Sequence, residues 1–250
     1  MKRIIAISLL MVLAVSTVNA AVNVFEMDEA GFNSALTQPL TFINFDNELR
    51  GANYDGKNVQ GVTFLAPGSP LIVVKASDTF TPDEFSKTVG ETYSFDLSLN
   101  KLPATSGDMI LSPGGVVLGP GPNPYNANDD LELIFDTPVA AFGFDQLMQS
   151  ADTYNRVNVT VYDEFGAVIL PTQRILTTDS GGRGAPGGSD FWGIVSGSAN
   201  IKRIVFDEYD YDNFNPDANI GYDSLRYAVP EPCTMLLIGI GGLFLRKRKA

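Results

Sequence analysis

Arg156-Val157-Asn158-Val159-Thr160-Val161-Tyr162, followed by Asp163-Glu164-Phe165-Gly166, is the stretch that decides the fold. Val157, Val159 and Val161 fall on one side of an extended chain, and Asn158, Thr160 and Tyr162 on the other. That is the period of two of a half-buried strand. Asp163–Gly166 then reads as a hairpin turn. The same grammar recurs on both sides. Val22–Phe25, Thr41–Asp46, Val62–Phe64, Leu71–Val74, Thr92–Leu99, Leu131–Phe135 and Val139–Asp145 read as strands before it, and Phe191–Val195, Ile201–Phe206 and Ile220–Ala228 after it. Gly51–Gly61, Ser112–Gly115, Gly119–Pro124 and Gly181–Gly188 read as turns or loops. Only one helical pattern is present: Asp28 is a candidate N-cap, Phe32, Ala35 and Leu36 share a face, and Pro39 stops the run. Many short strands and no solenoid period predict an all-β fold, an antiparallel β-sandwich or jelly roll with one short N-terminal helix.

The two ends of the chain differ from this middle. Lys2 and Arg3 precede an apolar run from Ile4 to Val15, and Val18-Asn19-Ala20 forms a small-x-small site. These are the three parts of a secretion signal, with cleavage by signal peptidase expected after Ala20. The run is too short and too early for a resident membrane span. At the other end stand Val229, Pro230-Glu231-Pro232, thirteen apolar residues from Cys233 to Leu245, and Arg246-Lys247-Arg248-Lys249-Ala250. As a helix the apolar stretch would measure about 20 Å at 1.5 Å per residue, against roughly 30 Å of bilayer hydrocarbon. It spans as a transmembrane helix only with Val229 and the prolines at the interface and the basic end in the cytoplasm. The prolines break the chain between domain and tail. The expected organisation is a signal peptide over 1–20, a β-sandwich over 21–229 and a tail over 230–250.

The tail resembles the PEP-CTERM sorting signal of Gram-negative bacteria, on the strength of Pro230-Glu231-Pro232, the apolar segment and the terminal Arg/Lys cluster. The resemblance implies recognition and removal of the tail by the membrane protease exosortase. Transient inner-membrane anchoring would then be followed by delivery to the cell surface or an exopolysaccharide matrix. Cys233 departs from the simplest form of the pattern. It reads as an apolar residue of the tail or as a reactive or lipidated thiol, and no lipobox sits at the N-terminus.

Composition narrows the chemistry. Between residues 21 and 229 there are 11 Lys/Arg against 28 Asp/Glu, a net charge of −17. That excess opposes binding to nucleic acid, whose phosphates need Lys and Arg, and to anionic lipid. It suits a soluble extracellular domain and hard divalent cations. The chain has no His, which removes His-based triads, imidazole metal sites and His general bases. The domain has no Cys, so its core must hold it without a disulfide.

A second, more degenerate resemblance spans residues 41–228. Phe42-Ile43-Asn44-Phe45-Asp46, Gly61-Val62-Thr63-Phe64, Phe135–Asp145, Val161–Gly166, Phe191–Ile194 and Ile220–Leu225 are similar to galactose-binding-like β-sandwiches. Such domains often hold a structural Ca²⁺ where an early strand lies beside the last one. The resemblance therefore implies Asp46, Asn47, Glu48 and Asp223 as candidate Ca²⁺ ligands. The alternative is that Asp46 and Asp223 pair with Arg50 or Arg226. Asp207–Asp217 is acidic but fails the EF-hand template: counted from Asp210, Asn215 stands at position six and Gly221 at position twelve. Tyr209 and Tyr211 are candidate glycan-stacking residues in that run, with Tyr125 a further one. Trp192 lies inside an apolar strand and reads as core. The glycine-rich loop lacks the Gly-Lys-Ser/Thr of a phosphate loop, and no Gly-x-Ser-x-Gly elbow exists.

The sequence therefore predicts an exported, non-catalytic surface or matrix protein that binds glycan or another matrix polymer. The alternatives are a secreted glycan-active enzyme working through a carboxylate pair, and a structural coat component without a small ligand.

Overall fold

The computed structural model describes residues 22–49, 51–67, 71–75, 93–94, 109–113, 116–117, 130–148, 156–175, 190–209 and 220–229. Its elements are β1 (Val22–Glu26), α1 (Glu29–Ala35), β2 (Thr41–Ile43), β3 (Asn58–Val59), β4 (Val62–Leu65), β5 (Leu71–Lys75), β6 (Tyr93–Ser94), β7 (Met109–Pro113) and β8 (Val116–Val117). They continue with β9 (Leu131–Val139), β10 (Ala141–Met148), β11 (Arg156–Tyr162), β12 (Val168–Arg174), β13 (Asp190–Ser196), β14 (Ile201–Tyr209) and β15 (Ile220–Ala228). One sheet runs β1-β13-β10-β15-β7-β5, with β2 also paired to β15. The other runs β12-β11-β14-β9-β4-β3, and β6 pairs with β8 apart from both. All pairings are antiparallel. The all-β fold with one short helix is the one the strand pattern predicts.

An aromatic core fills the space between the sheets. Phe142, Phe144, Trp192 and Tyr222 from one sheet meet Phe135 and Phe206 from the other, all fully buried. Phe144 and Phe206 stand edge-on with ring centroids 4.9 Å apart, the offset geometry the ring quadrupoles favour. Val157, Val159 and Val161 enter the same core, as their alternation requires. Trp192 is core, its ring centroid 5.8 Å from that of Phe144.

The outer face of the larger sheet carries α1. Asp28 caps the helix by accepting a hydrogen bond from Gly31 N at 2.8 Å. The helix ends at Ala35, with Leu36 already extended, so it stops short of Pro39. Its Phe32 lies over the directly paired Gly143 and Gly193. A Cβ on Gly193 would sit 2.7 Å from both Phe32 Cδ2 and Phe191 Cζ, and one on Gly143 2.9 Å from Phe191 Cζ. Glycine is needed at these two positions so that two phenyl rings can approach the sheet closely.

Several local expectations are corrected. Thr41–Asp46 pairs as a strand only over its first three residues, and its alternation turns Phe42 outward (55% exposed) while Ile43 and Phe45 are buried. Ser112 and Pro113, expected in a turn, finish β7 opposite Ile72 and Leu71. β12 had no counterpart in the sequence reading; Pro171 is tolerated there because β12 is an edge strand with one side unpaired. Gly51–Gly61, expected as a loop, contains β3. The acidic run begins as strand, since β14 continues to Tyr209.

Candidate functional site

Strand register divides the sandwich into two unlike ends. At one end Ala141 pairs with both Val195 and Ala228, and Val22 with Ser196. Ala140 alone connects β9 to β10, so Val139 and its partner Ile201 belong to this end too. Ala140 N donates to Ala228 O and Ala140 O accepts from Ser196 N, each at 2.8 Å. Both the first and the last described residues, Val22 and Val229, therefore leave from the same end. At the opposite end Met148 pairs with Ile220, Gln146 with Asp190, Arg156 with Tyr209 and Leu131 with Phe206. The segments 149–155, 176–189 and 210–219 join strands at that end.

The β11–β12 hairpin belongs to the terminus-bearing end, since Tyr162 pairs with Arg203 and the turn lies beyond that pair. Asp163 Oδ1 accepts from Phe165 N at 2.9 Å and from Ala167 N at 2.8 Å, and Gly166 takes a φ of +79°. The turn is thus built from the Asp163 carboxylate, which it draws inward. Phe165 is left 86% exposed at the tip.

A buried ionic cluster lies under α1. Asp145 and Asp223 face each other across β10 and β15, 5% and 0% exposed. Arg226 Nη2 donates to Asp145 Oδ1 at 2.9 Å, Arg226 Nη1 to Glu29 of α1, and the guanidinium lies 4.8 Å from the centre of the Phe191 ring. Ser224, with a φ of +49°, donates its N–H to Asp223 Oδ1 at 2.6 Å. Arg226 thereby fastens the first turn of the helix to the last strand. Sequence reasoning missed this latch. Its signal was present, as charged residues inside the apolar runs 141–147 and 220–228.

The four residues implied as Ca²⁺ ligands come from two segments, residues 46–48 just after β2 and Asp223 within β15. β2 does lie beside β15, as that reading requires. Asp46 Oδ1 accepts from Met109 N at 3.4 Å, and Asn47 is exposed. Glu48 accepts from Lys57 Nζ at 3.0 Å. Burial alone would raise the Glu48 carboxyl, but hydrogen bonds from Lys57 and Tyr54 hold it below its ordinary value. Burial, reinforced by Glu48, pushes the Tyr54 phenol above its ordinary value. Asp223 belongs to the face with Asp145. Among the described residues no group of three or more His, Cys, Asp or Glu could hold a metal ion.

Of the candidate glycan contacts, Tyr209 closes β14 at the end away from the termini, while Tyr211 and Tyr125 lie outside the described residues. Pro230, Glu231 and Pro232 also lie outside them. No helix among the described residues is long and apolar enough to cross a membrane.

The described fold is an antiparallel β-sandwich, and its C-terminal motif implies export with a membrane-anchoring sorting signal. The model of the PEP-CTERM protein-sorting motif matches residues 228–249, which makes exosortase the processing partner. No curated protein matches the chain. Among solved structures, the K2 cleaved adhesin domain of Lys-gingipain (Kgp) aligns over 76% of this chain and all of its own, at 14% identity and a TM-score of 0.42. The enzymatically active domain of bacteriophage CBA120 tailspike protein 4 aligns over 74% of this chain and 22% of its own, at 10% identity and a TM-score of 0.33.

Proposed function

We propose that this protein is a non-catalytic component of the cell surface or extracellular matrix, routed there by its sorting tail and binding glycan or another matrix polymer. The observation that carries the reading is the polarity of the sandwich. Val22 and Val229 leave from one end, so a domain held by its tail turns the other end outward. Tyr209 closes β14 at that outward end, and tyrosine is a residue type whose ring can stack against a sugar. The net charge of −17 over residues 21–229 keeps such a domain soluble and off anionic lipid.

The test is co-sedimentation of the protein with polysaccharide isolated from the producing cells, with reducing ends assayed in parallel. Retention without new reducing ends is expected, weakened by Tyr209→Ala. Release of reducing ends would favour a glycan-active enzyme. Neither retention nor release would leave a coat component that takes no glycan.

A further inference from the structure

We propose that, while the tail is attached, the terminus-bearing end of the sandwich rests on the bilayer interface, with Phe165 as its inserted contact. The inference relies on the reading of the tail as a membrane segment and adds where the domain touches. Only Pro230, Glu231 and Pro232 separate Val229 from the apolar stretch beginning at Cys233. Fully extended, three residues span about 10 Å. The end that carries Val229 is therefore held within that reach of the membrane. The end presents apolar surface: Phe165 is 86% exposed, Val168 52% and Val229 40%. Phe165 is held out by a turn whose carboxylate is engaged with backbone amides, so exposing the ring does not depend on a frayed loop. An aromatic side chain on a fixed tip, beside an anchored chain end, is suited to the headgroup–acyl boundary. Glu164 is exposed beside it, so the contact should be firmer on zwitterionic than on anionic lipid.

The test uses residues 21–250, the chain expected after signal-peptide removal, reconstituted into phosphatidylethanolamine/phosphatidylcholine vesicles containing brominated lipid. Phe165→Trp is compared with Leu49→Trp. Leu49 is 81% exposed, in the turn whose Gly51 bonds to Val73, away from the terminus-bearing end. The native Trp192 is fully buried and serves as a constant background. Flotation with the vesicles is scored first. A floating Phe165→Trp protein should show at least threefold more quenching than Leu49→Trp, and less when phosphatidylglycerol is added. Equal quenching in protein that floats overturns the contact and leaves the tail reading intact. Failure to float removes the tail reading and the contact together. Emission from the Phe165→Trp protein that shifts only when exosortase is co-reconstituted assigns this end to the protease and overturns the lipid contact.

Discussion

The two ends of the sandwich differ in how many of their strands are joined by tight turns. The terminus-bearing end carries three tight turns, with one residue joining β9 to β10, two joining β3 to β4, and a carboxylate-locked turn joining β11 to β12, while residues 76–108 join β5 to β7 on the same side. The far end joins strands through 149–155, 176–189 and 210–219. Closed turns fix the geometry next to the anchored tail. Longer connections suit an end where sequence can vary without disturbing the core.

The largest expected effect comes from cutting on either side of the tail junction. A chain ending at residue 219 loses β15, which pairs with β10, β7 and β2 and buries Tyr222, Leu225 and Tyr227. Each such side chain contributes about 1.5–3 kcal/mol, against a typical whole-domain stability of roughly 5–15 kcal/mol. That chain should show no cooperative melt, whereas one ending at 229 should melt like the full-length protein. A folded 219 variant would break the account of β15 as a central strand.

Insertions separate the ends directly. Four glycines at Ala140 should break the bonds from Ala140 N to Ala228 O and from Ser196 N to Ala140 O, lowering stability by about 2 kcal/mol or more in a urea titration. The same insertion between Gly184 and Ala185 should cost under about 1 kcal/mol, since lengthening a connection adds only a small closure entropy. Equal losses at the two sites would erase the distinction.

A smaller effect is expected at the hairpin tip. Asp163→Ala removes the acceptor for two backbone N–H groups and should cost about 0.5–2 kcal/mol by thermal melting. Phe165→Asp should change stability by less than about 0.5 kcal/mol away from membranes.

The smallest effect lies at Glu48, an ion pair about one-third exposed. Its carboxyl is held below the ordinary value in the folded state, so it stabilises fully above the unfolded pKa of about 4.3. That contribution is lost as pH falls through the lower folded value. Glu48→Gln should therefore reduce stability by under about 1 kcal/mol at pH 7, with the gap closing on acidification. A gap that widens in acid would refute the assignment.

Legibility followed local pattern. β11, β13, β14 and β15 were readable because each alternates or runs apolar between turn residues. β12 and β7 were hidden by Pro171 and by Pro113 beside Gly114-Gly115, residues that read as breakers until the neighbouring strand shows an edge or a strand end. The sorting motif was legible because its three parts are contiguous. The Ca²⁺ quartet came from the resemblance to galactose-binding-like sandwiches; β2 does lie beside β15, and Lys57, nine residues from Glu48, pairs with that carboxylate.

The sequence by itself determined the all-β class, the acidic surface, the exclusion of His chemistry and the export tail, because composition and short-range periodicity survive without long-range contacts. The tertiary structure alone decided which residues share an end. Asp145, Asp223, Arg226 and Glu29 meet across 197 positions of chain. Phe165 shares an end with Val229 only through the registers of β11, β14, β9, β10 and β15. Register is set by which face each strand buries against its partners, so it becomes fixed only when the two sheets pack.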